Sequence, residues 1–203
     1  TGTGAGTGIE NSIDIGLNKY IVKIISTLIE SMSAMEPQSL QYMQFHTSRM
    51  QIQQDELESM RIKLSQASPL QDALNQCIKH SNLLVTTGSG GGGSGELLLS
   101  KVLLRSCDYL SNGVGLATRA AAATTITSLV DKFPIELRKN RNTEKAFYII
   151  SSSLATGAVV SSKPLAQAFL GTMGALAKII DPIALHNACI KLLTRQMELD
   201  RQS

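Results

Sequence analysis

The chain has 203 residues, long enough to bury a sizeable core in one domain or two small ones. Hydrophobic residues make up 43% of it, yet only 4% are aromatic and Trp is absent; this suits helix packed on helix and disfavours a β-sandwich, which draws on aromatic and β-branched residues. Nineteen basic against sixteen acidic residues leave a net charge of +3, too mild and too scattered for nucleic acid, which calls for a concentrated basic stripe.

The chain opens with TGTGAGTG, which is too Gly-rich to order itself, and residues 1–14 are read as a flexible tail. The start has neither the basic residues nor the apolar core of a secretory leader, and the missing initiator Met suggests a piece of something larger. A helix is predicted from about Ile15 to Met35, with Leu17, Tyr20, Ile21, Ile24, Ile25, Leu28, Ile29 and Met32 repeating at helical spacing. Its most apolar stretch, Ile21 to Ile29, is interrupted by Lys23, Ser26 and Thr27 and falls well short of the roughly 20 residues that cross a bilayer. After Pro37, one long polar helix is predicted over Leu40 to Leu64, with Met43, Met50, Leu57 and Leu64 at steps of seven and Met60 on the same side. His46 and Gln53 fall where a coiled coil needs apolar residues, so this seam reads as a helix packed along one side.

Ser68-Pro69-Leu70-Gln71 combines an N-cap, a proline in the first turn and a Gln three residues after the cap. The helix it opens carries Leu70, Ala73, Leu74, Cys77, Ile78, Leu84 and Val85 on one face and runs to Thr86. A Gly/Ser run over residues 87–95 follows, a flexible coil spanning on the order of 15 to 18 Å, either a natural insertion or an engineered join across a removed loop.

Five helical segments come next. Leu99, Val102, Leu103, Ser106, Cys107 and Leu110 form the first inner face. After the turn at residues 111–115, Ala121, Ala122, Thr125, Ile126, Leu129 and Val130 form the second, closed by Phe133-Pro134. Phe147, Ile150, Ser151 and Leu154 mark the third, and Leu165, Phe169, Thr172, Met173, Leu176, Ala177 and Ile180 the fourth. Asp181-Pro182 caps the fifth, with Leu185, Ala188, Cys189, Leu192 and Leu193 facing inward. Eight helices without a convincing strand make an all-α protein. The pair over 96–131 recurs over 143–180, so that Ile126 and Leu129 correspond to Met173 and Leu176. Hairpins recurring every 40 to 47 residues or so are the period of HEAT and armadillo arrays, in which neighbours stack because no hairpin hides its apolar stripe alone. The expected architecture is an α-solenoid: tail (1–14), HEAT-like helical segment (15–86), linker (87–95) and HEAT-like repeats (96–203).

Signs of chemistry are few. Gly88 to Gly93 fits a dinucleotide-binding glycine pattern only because a glycine run fits many patterns, no strand precedes it, and no Gly-Lys-Ser/Thr follows. His46, His80 and His186 lack partners at ligand spacing, and Cys77, Cys107 and Cys189 contain no CxxC, so all three cysteines are read as small buried side chains in a reducing compartment. There is no GxSxG elbow, and Asp55, Glu56 and Glu58 lie on a solvated helix beside Arg61 and Lys63. The expectation is no enzyme, no cofactor, no metal, no nucleic acid and no membrane insertion. Two features are candidates for protein binding. Arg138, Lys139 and Arg141, in the connection from Glu136 to Asn142, present three positive charges in four residues to an acidic partner, or else form an ordinary solvated loop. Met32, Met35, Met43, Met50 and Met60 form either an adaptable groove or plain core.

The stretch Gly113-Val114-Gly115-Leu116-Ala117-Thr118-Arg119-Ala120-Ala121-Ala122, continuing to Thr127-Ser128-Leu129-Val130 and Phe133-Pro134, resembles a repeat of the HEAT-repeat proteasome adaptor and scaffold family known as extracellular mutant twenty-nine. Ser68-Pro69-Leu70 with Ala73 to Lys79 resembles the helix before that repeat, and Gln167-Ala168-Phe169 with Gly174 to Lys178 the one after it. The family has a basic residue near Gln167 and a different connection before Glu96, and residues 138–142 are this chain's own. Arg119 is also a candidate for protein binding; read physically, it opens an inner helix after a tight turn, where it can reach an acid or carbonyl of a neighbouring repeat. The resemblance implies a scaffold that binds the proteasome, bridges its regulatory and core particles and tethers it to other components, in the cytoplasm with the nucleus also open to it. Two other readings stay open: a HEAT or armadillo scaffold of another assembly, such as a transport receptor or phosphatase scaffold, and an all-α ligand-binding or enzymatic bundle.

Overall fold

The computed structural model describes residues 20–35, 38–46, 53–80, 94–155 and 162–201. In chain order these form α1 (residues 20–31), a 3-10 turn (Ser33–Met35), α2 (Gln38–Phe45), α3 (Gln54–Gln66), α4 (Pro69–His80), α5 (Ser94–Asn112), α6 (Leu116–Lys132), a short α7 (Pro134–Arg138), α8 (Arg141–Ala155), α9 (Lys163–Ala177) and α10 (Pro182–Asp200). There is no strand among the described residues.

The fold is an α-solenoid of HEAT-like hairpins. Helices α5 and α6 make one hairpin, α8 and α9 the next; α5 lies against α8, α6 against α9, and α10 extends the first layer by packing on α8. From Ser94 to Arg141 and from Leu116 to Lys163 the step is 47 residues in both cases, so the period read from the sequence is the repeat of the structure. Helix α4 packs on α6, and α3 lies over both α6 and α9. The buried cluster takes in Ile25 and Ile29 of α1 and Leu74 and Ile78 of α4 together with the hairpins, so a single core runs through segments on both sides of the Gly/Ser run.

Helix α6 is the centre of this core. Ten of its residues are buried, from Ala117 and Thr118 through Ala120–Ala123 to Thr125, Ile126, Leu129 and Val130. A helix enclosed on several sides needs small side chains for close approach and an internal partner for every polar atom. The alanines supply the first requirement. For the second, Thr124, Thr125 and Thr127 return their hydroxyls to the carbonyls of Ala120, Ala121 and Ala123 at 3.1, 2.8 and 3.1 Å.

Several expectations are corrected. The long helix over 40–64 is two helices: α2 ends at Phe45, His46 forms a turn, and α3 starts at Gln54. Its heptad seam is not an apolar face: among its described residues Leu57 is buried and Met43 half-buried, while Met60 and Leu64 are about half exposed, at 50% and 47%; a run of polar residues this long has too few apolar side chains to hold one straight helix against a core. Of the methionines, Met32 is buried, Met35 and Met60 are exposed and Met50 lies outside the described residues; Met32 and Met35 meet Leu40 and Leu64 around a small cleft of about 130 Å³. On α1, Tyr20 and Ile24 are exposed, and the buried stripe is the narrower set Ile21, Ile25, Ile29 and Met32.

Ser68 caps α4 by accepting the Gln71 N–H at 3.2 Å, but the Gln71 side chain turns to Asn75 (3.0 Å) and does not return to the cap. The Gly/Ser run lies outside the described residues up to Gly93, and Ser94 and Gly95 already belong to α5; the tail (1–14) and Leu84 and Val85 also lie outside. Glu136 to Asn142 is no loop, since most of it belongs to α7 and the start of α8. Cys107 is buried as expected, but Cys189 is exposed, together with Ile183, Ile190, Leu193 and Met197 on α10.

Gly171 sits inside α9, and a Cβ added there meets nothing within 4 Å. Gly171→Ala is therefore expected to raise stability by roughly 0.5–1 kcal/mol through the lost flexibility of glycine, whereas Leu129→Ala, at the centre of α6, lowers it by about 2–5 kcal/mol. Denaturant titration followed by circular dichroism measures both.

Candidate protein-binding surface

The GVG turn is a joint between repeats. Gly115 stands at the N-cap of α6 with φ +86°, a conformation glycine adopts without strain, and has no side chain to cap the helix. Ser33 of the 3-10 turn takes that role from outside: its hydroxyl accepts the Thr118 N–H at 3.3 Å, donates to the Val114 carbonyl at 3.0 Å and pairs with the Thr118 hydroxyl at 2.9 Å. A Cβ at Gly115 would run into Ser33, and one at Gly113 into the Tyr109 carbonyl. Beside this cap, Tyr109 of α5 donates to Glu30 of α1, and burial, with that hydrogen bond second, holds the Tyr109 phenol above its ordinary pKa.

Arg119 belongs to the same joint. Its Nε donates to the Leu110 carbonyl at 2.9 Å, closing the end of α5, and its guanidinium lies 5.5 Å from the Phe169 ring centre in the following repeat. Burial lowers its pKa, though an arginine keeps its charge regardless. The side chain is half-buried and faces its own repeats. At the other end of α6, Lys132 donates to the carbonyls of Ile78 and Lys79 and so closes the C-terminus of α4, with its ammonium 5.0 Å from the Phe133 ring centre.

Arg138, Lys139 and Arg141 are placed differently. All three are exposed, while the residues between and around them are fixed. Leu137 and Asn140 are buried. The Asn140 amide donates to Ser100 of α5, and its carbonyl oxygen accepts the Asn142 N–H at 2.9 Å, capping α8. Thr143 donates to the Leu137 carbonyl at 2.6 Å. Alternating anchors thus hold three cations outward on a rigid edge.

The structure adds residues that sequence reasoning passed over. Lys145 lies one turn after Arg141 on α8, and across from it Lys191 projects from α10; between these helices runs a groove of about 630 Å³ whose lining includes Tyr148, Ile183 and Ala188. Lys145 was legible as an i+4 neighbour of Arg141. Lys191 lies fifty residues further on, and only the packing of α10 on α8 brings it there.

The histidines do not converge. His46 packs against Tyr42 with ring centroids 4.4 Å apart and planes tilted by 47°, and His80 and His186 are exposed on separate helices. Among the described residues no group of three or more His, Cys, Asp or Glu is placed to hold a metal ion, and no helix is long and apolar enough to cross a membrane.

The family model for the HEAT-repeat domain of the proteasome adapter and scaffold protein ECM29 matches residues 17–197. The chain belongs to that family. It is 27% identical over 129 residues to the human proteasome adapter and scaffold protein ECM29, a match covering 64% of this chain and 6% of that protein, so the chain spans a small part of its relative's length. No solved structure matches. Within the family match, the Gly113–Ala122 motif is the Ser33-capped joint, and Arg119 stitches one repeat to the next.

Two outcomes are expected. Asn140→Ala removes the amide that donates to Ser100 and uncaps α8, costing about 1–3 kcal/mol, and hydrogen exchange should speed up over residues 137–143 before the rest of the chain. Burial, reinforced by the neighbouring Asp108 charge, pushes the Cys107 thiol up to about 12, so it carries almost no thiolate at pH 8. A disulfide reagent at that pH should titrate the exposed Cys189 quickly, Cys77 more slowly because burial raises its pKa too, and Cys107 only after unfolding.

Proposed function

We propose that this chain is a non-enzymatic section of a proteasome scaffold: a HEAT-repeat stack that binds the proteasome, bridges its regulatory and core particles and tethers it to other cellular components, in the cytoplasm and the nucleus. The family match over residues 17–197 carries this reading. The fold supports it, because a solenoid of stacked hairpins buries its apolar stripes between neighbours and presents extended outer surfaces to partners. Arg138, Lys139 and Arg141 are the contact residues, held outward for an acidic surface on the partner, and Arg119 supports them from inside by keeping the repeats in register.

Proteasomes should be recovered with the full-length parent protein and lost when residues 94–177 are deleted; unchanged recovery would remove this segment from the binding role. Reversing Arg138, Lys139 and Arg141 together to Glu is expected to weaken binding of purified proteasome particles by about tenfold or more with the helical content unchanged. Separate titrations of regulatory and core particles distinguish bridging from attachment to one particle.

A further inference from the structure

Helix α3 departs from the rule of the stack. In an array of hairpins each unit touches its neighbours in the chain. Yet α3, which precedes the hairpin of α5 and α6, lies over α6 and also over α9 of the hairpin beyond. Little holds it there. Of its 13 residues Leu57 and Ser65 are buried, Met60 and Leu64 are about half exposed, and Gln53 makes no side-chain cap. A polar bond ties it to the second hairpin: the Ser162 hydroxyl, which caps α9 by accepting the Leu165 N–H at 3.3 Å, donates to Glu58.

Between α3, α6 and α9 runs a groove of about 270 Å³, whose wall includes Ile62 and Gln66 of α3, Ala123 and Thr127 of α6, and Ala168 and Gly171 of α9. None of its lining residues is charged. The hydroxyls of Thr124, Thr127 and Thr172 return to their own helices, so these threonines need no polar partner from the element above them. Elements with few buried apolar contacts open before the rest of a fold. Opening α3 bares an uncharged face that α3 itself shows to accept a helix.

We infer that α3 is a displaceable strap over a docking face on α6 and α9, and that the partner is an amphipathic helix of α3's own chemistry. Such a helix carries a leucine to take the place of Leu57, a carboxylate beside it to meet Ser162, and an uncharged apolar residue over the groove in the place of Ile62. The tethered strap competes at the high effective concentration of a linked segment, so a partner gains the face as α3 is loosened. This surface is distinct from the basic edge of α7 and α8, and the inference does not rest on the proteasome reading.

The test uses the whole 203-residue chain, unaltered and with Leu57→Ala and Glu58→Ala together, and a fluorescently labelled peptide of residues 53–67 as the probe. In the unaltered chain, amides of α3 should exchange faster than those of α6 and α9. The double variant should speed α3 further by about tenfold or more and leave α6 and α9 unchanged. By anisotropy the peptide should bind the double variant saturably, about tenfold or more tighter than the unaltered chain. A peptide carrying the same two substitutions should not bind. Gly171→Leu, at a position where an added Cβ meets nothing within 4 Å, places a side chain in the groove and should weaken the peptide on the double variant. Exchange of α3 in step with α6 and α9 would overturn the strap. Absence of saturable binding to the double variant, equal affinity for both chains, or indifference to Gly171→Leu would overturn the docking face.

Discussion

Helix α6 buries ten of its 17 residues, and the positions of its neighbours follow from that. Helices α5, α9, α4 and α3 all pack on it, and each covers a different part of its surface. The side chains that make this possible are small: alanines that let backbones approach, and threonines whose hydroxyls are consumed by the preceding turn. With α6 enclosed, α5 and α9 are fixed, α8 is fixed between them, and α10 lies on α8. The groove and the basic edge on the outer layer therefore depend on packing at the centre of the inner one.

Much of this was legible in the residues. The inner faces of α5, α6, α8 and α9 could be read from spacing, because each has a wide apolar stripe and the burial pattern follows it nearly residue for residue. The 47-residue period and the proline-marked helix starts were equally plain. The reading failed where side chains are polar and the stripe is thin. The region around α2 and α3 had a seven-residue rhythm but few strongly apolar residues to enforce it, and the chain breaks there into two helices. Nor could spacing reveal α7, a five-residue helix anchored by Leu137 and a buried Asn140 whose partners lie in other elements.

The candidate surface divides along the same line. Its cations on α7 and α8 are a local charge run that anyone reading the chain meets. Lys191 and Ile183 meet Lys145 and Tyr148 only through the packing of α10 on α8. Arg119 shows the converse: a conspicuous charge after a glycine turn, which the fold spends on a carbonyl and an aromatic ring of its own repeats. A charged residue in a repeat motif can be mortar as readily as a contact, and the distinction rests on which way the neighbouring elements leave it facing.

Ser33 reaches across some eighty positions of chain to finish a helix it does not belong to. A cap supplied by a neighbour fixes register, since sliding one element along the other by even a single 1.5 Å helical step would pull the hydroxyl from its amide. With Tyr109 bonded to Glu30 beside it and Ile25 and Ile29 set in the common core, that hydroxyl acts as a pin through layers already clamped together.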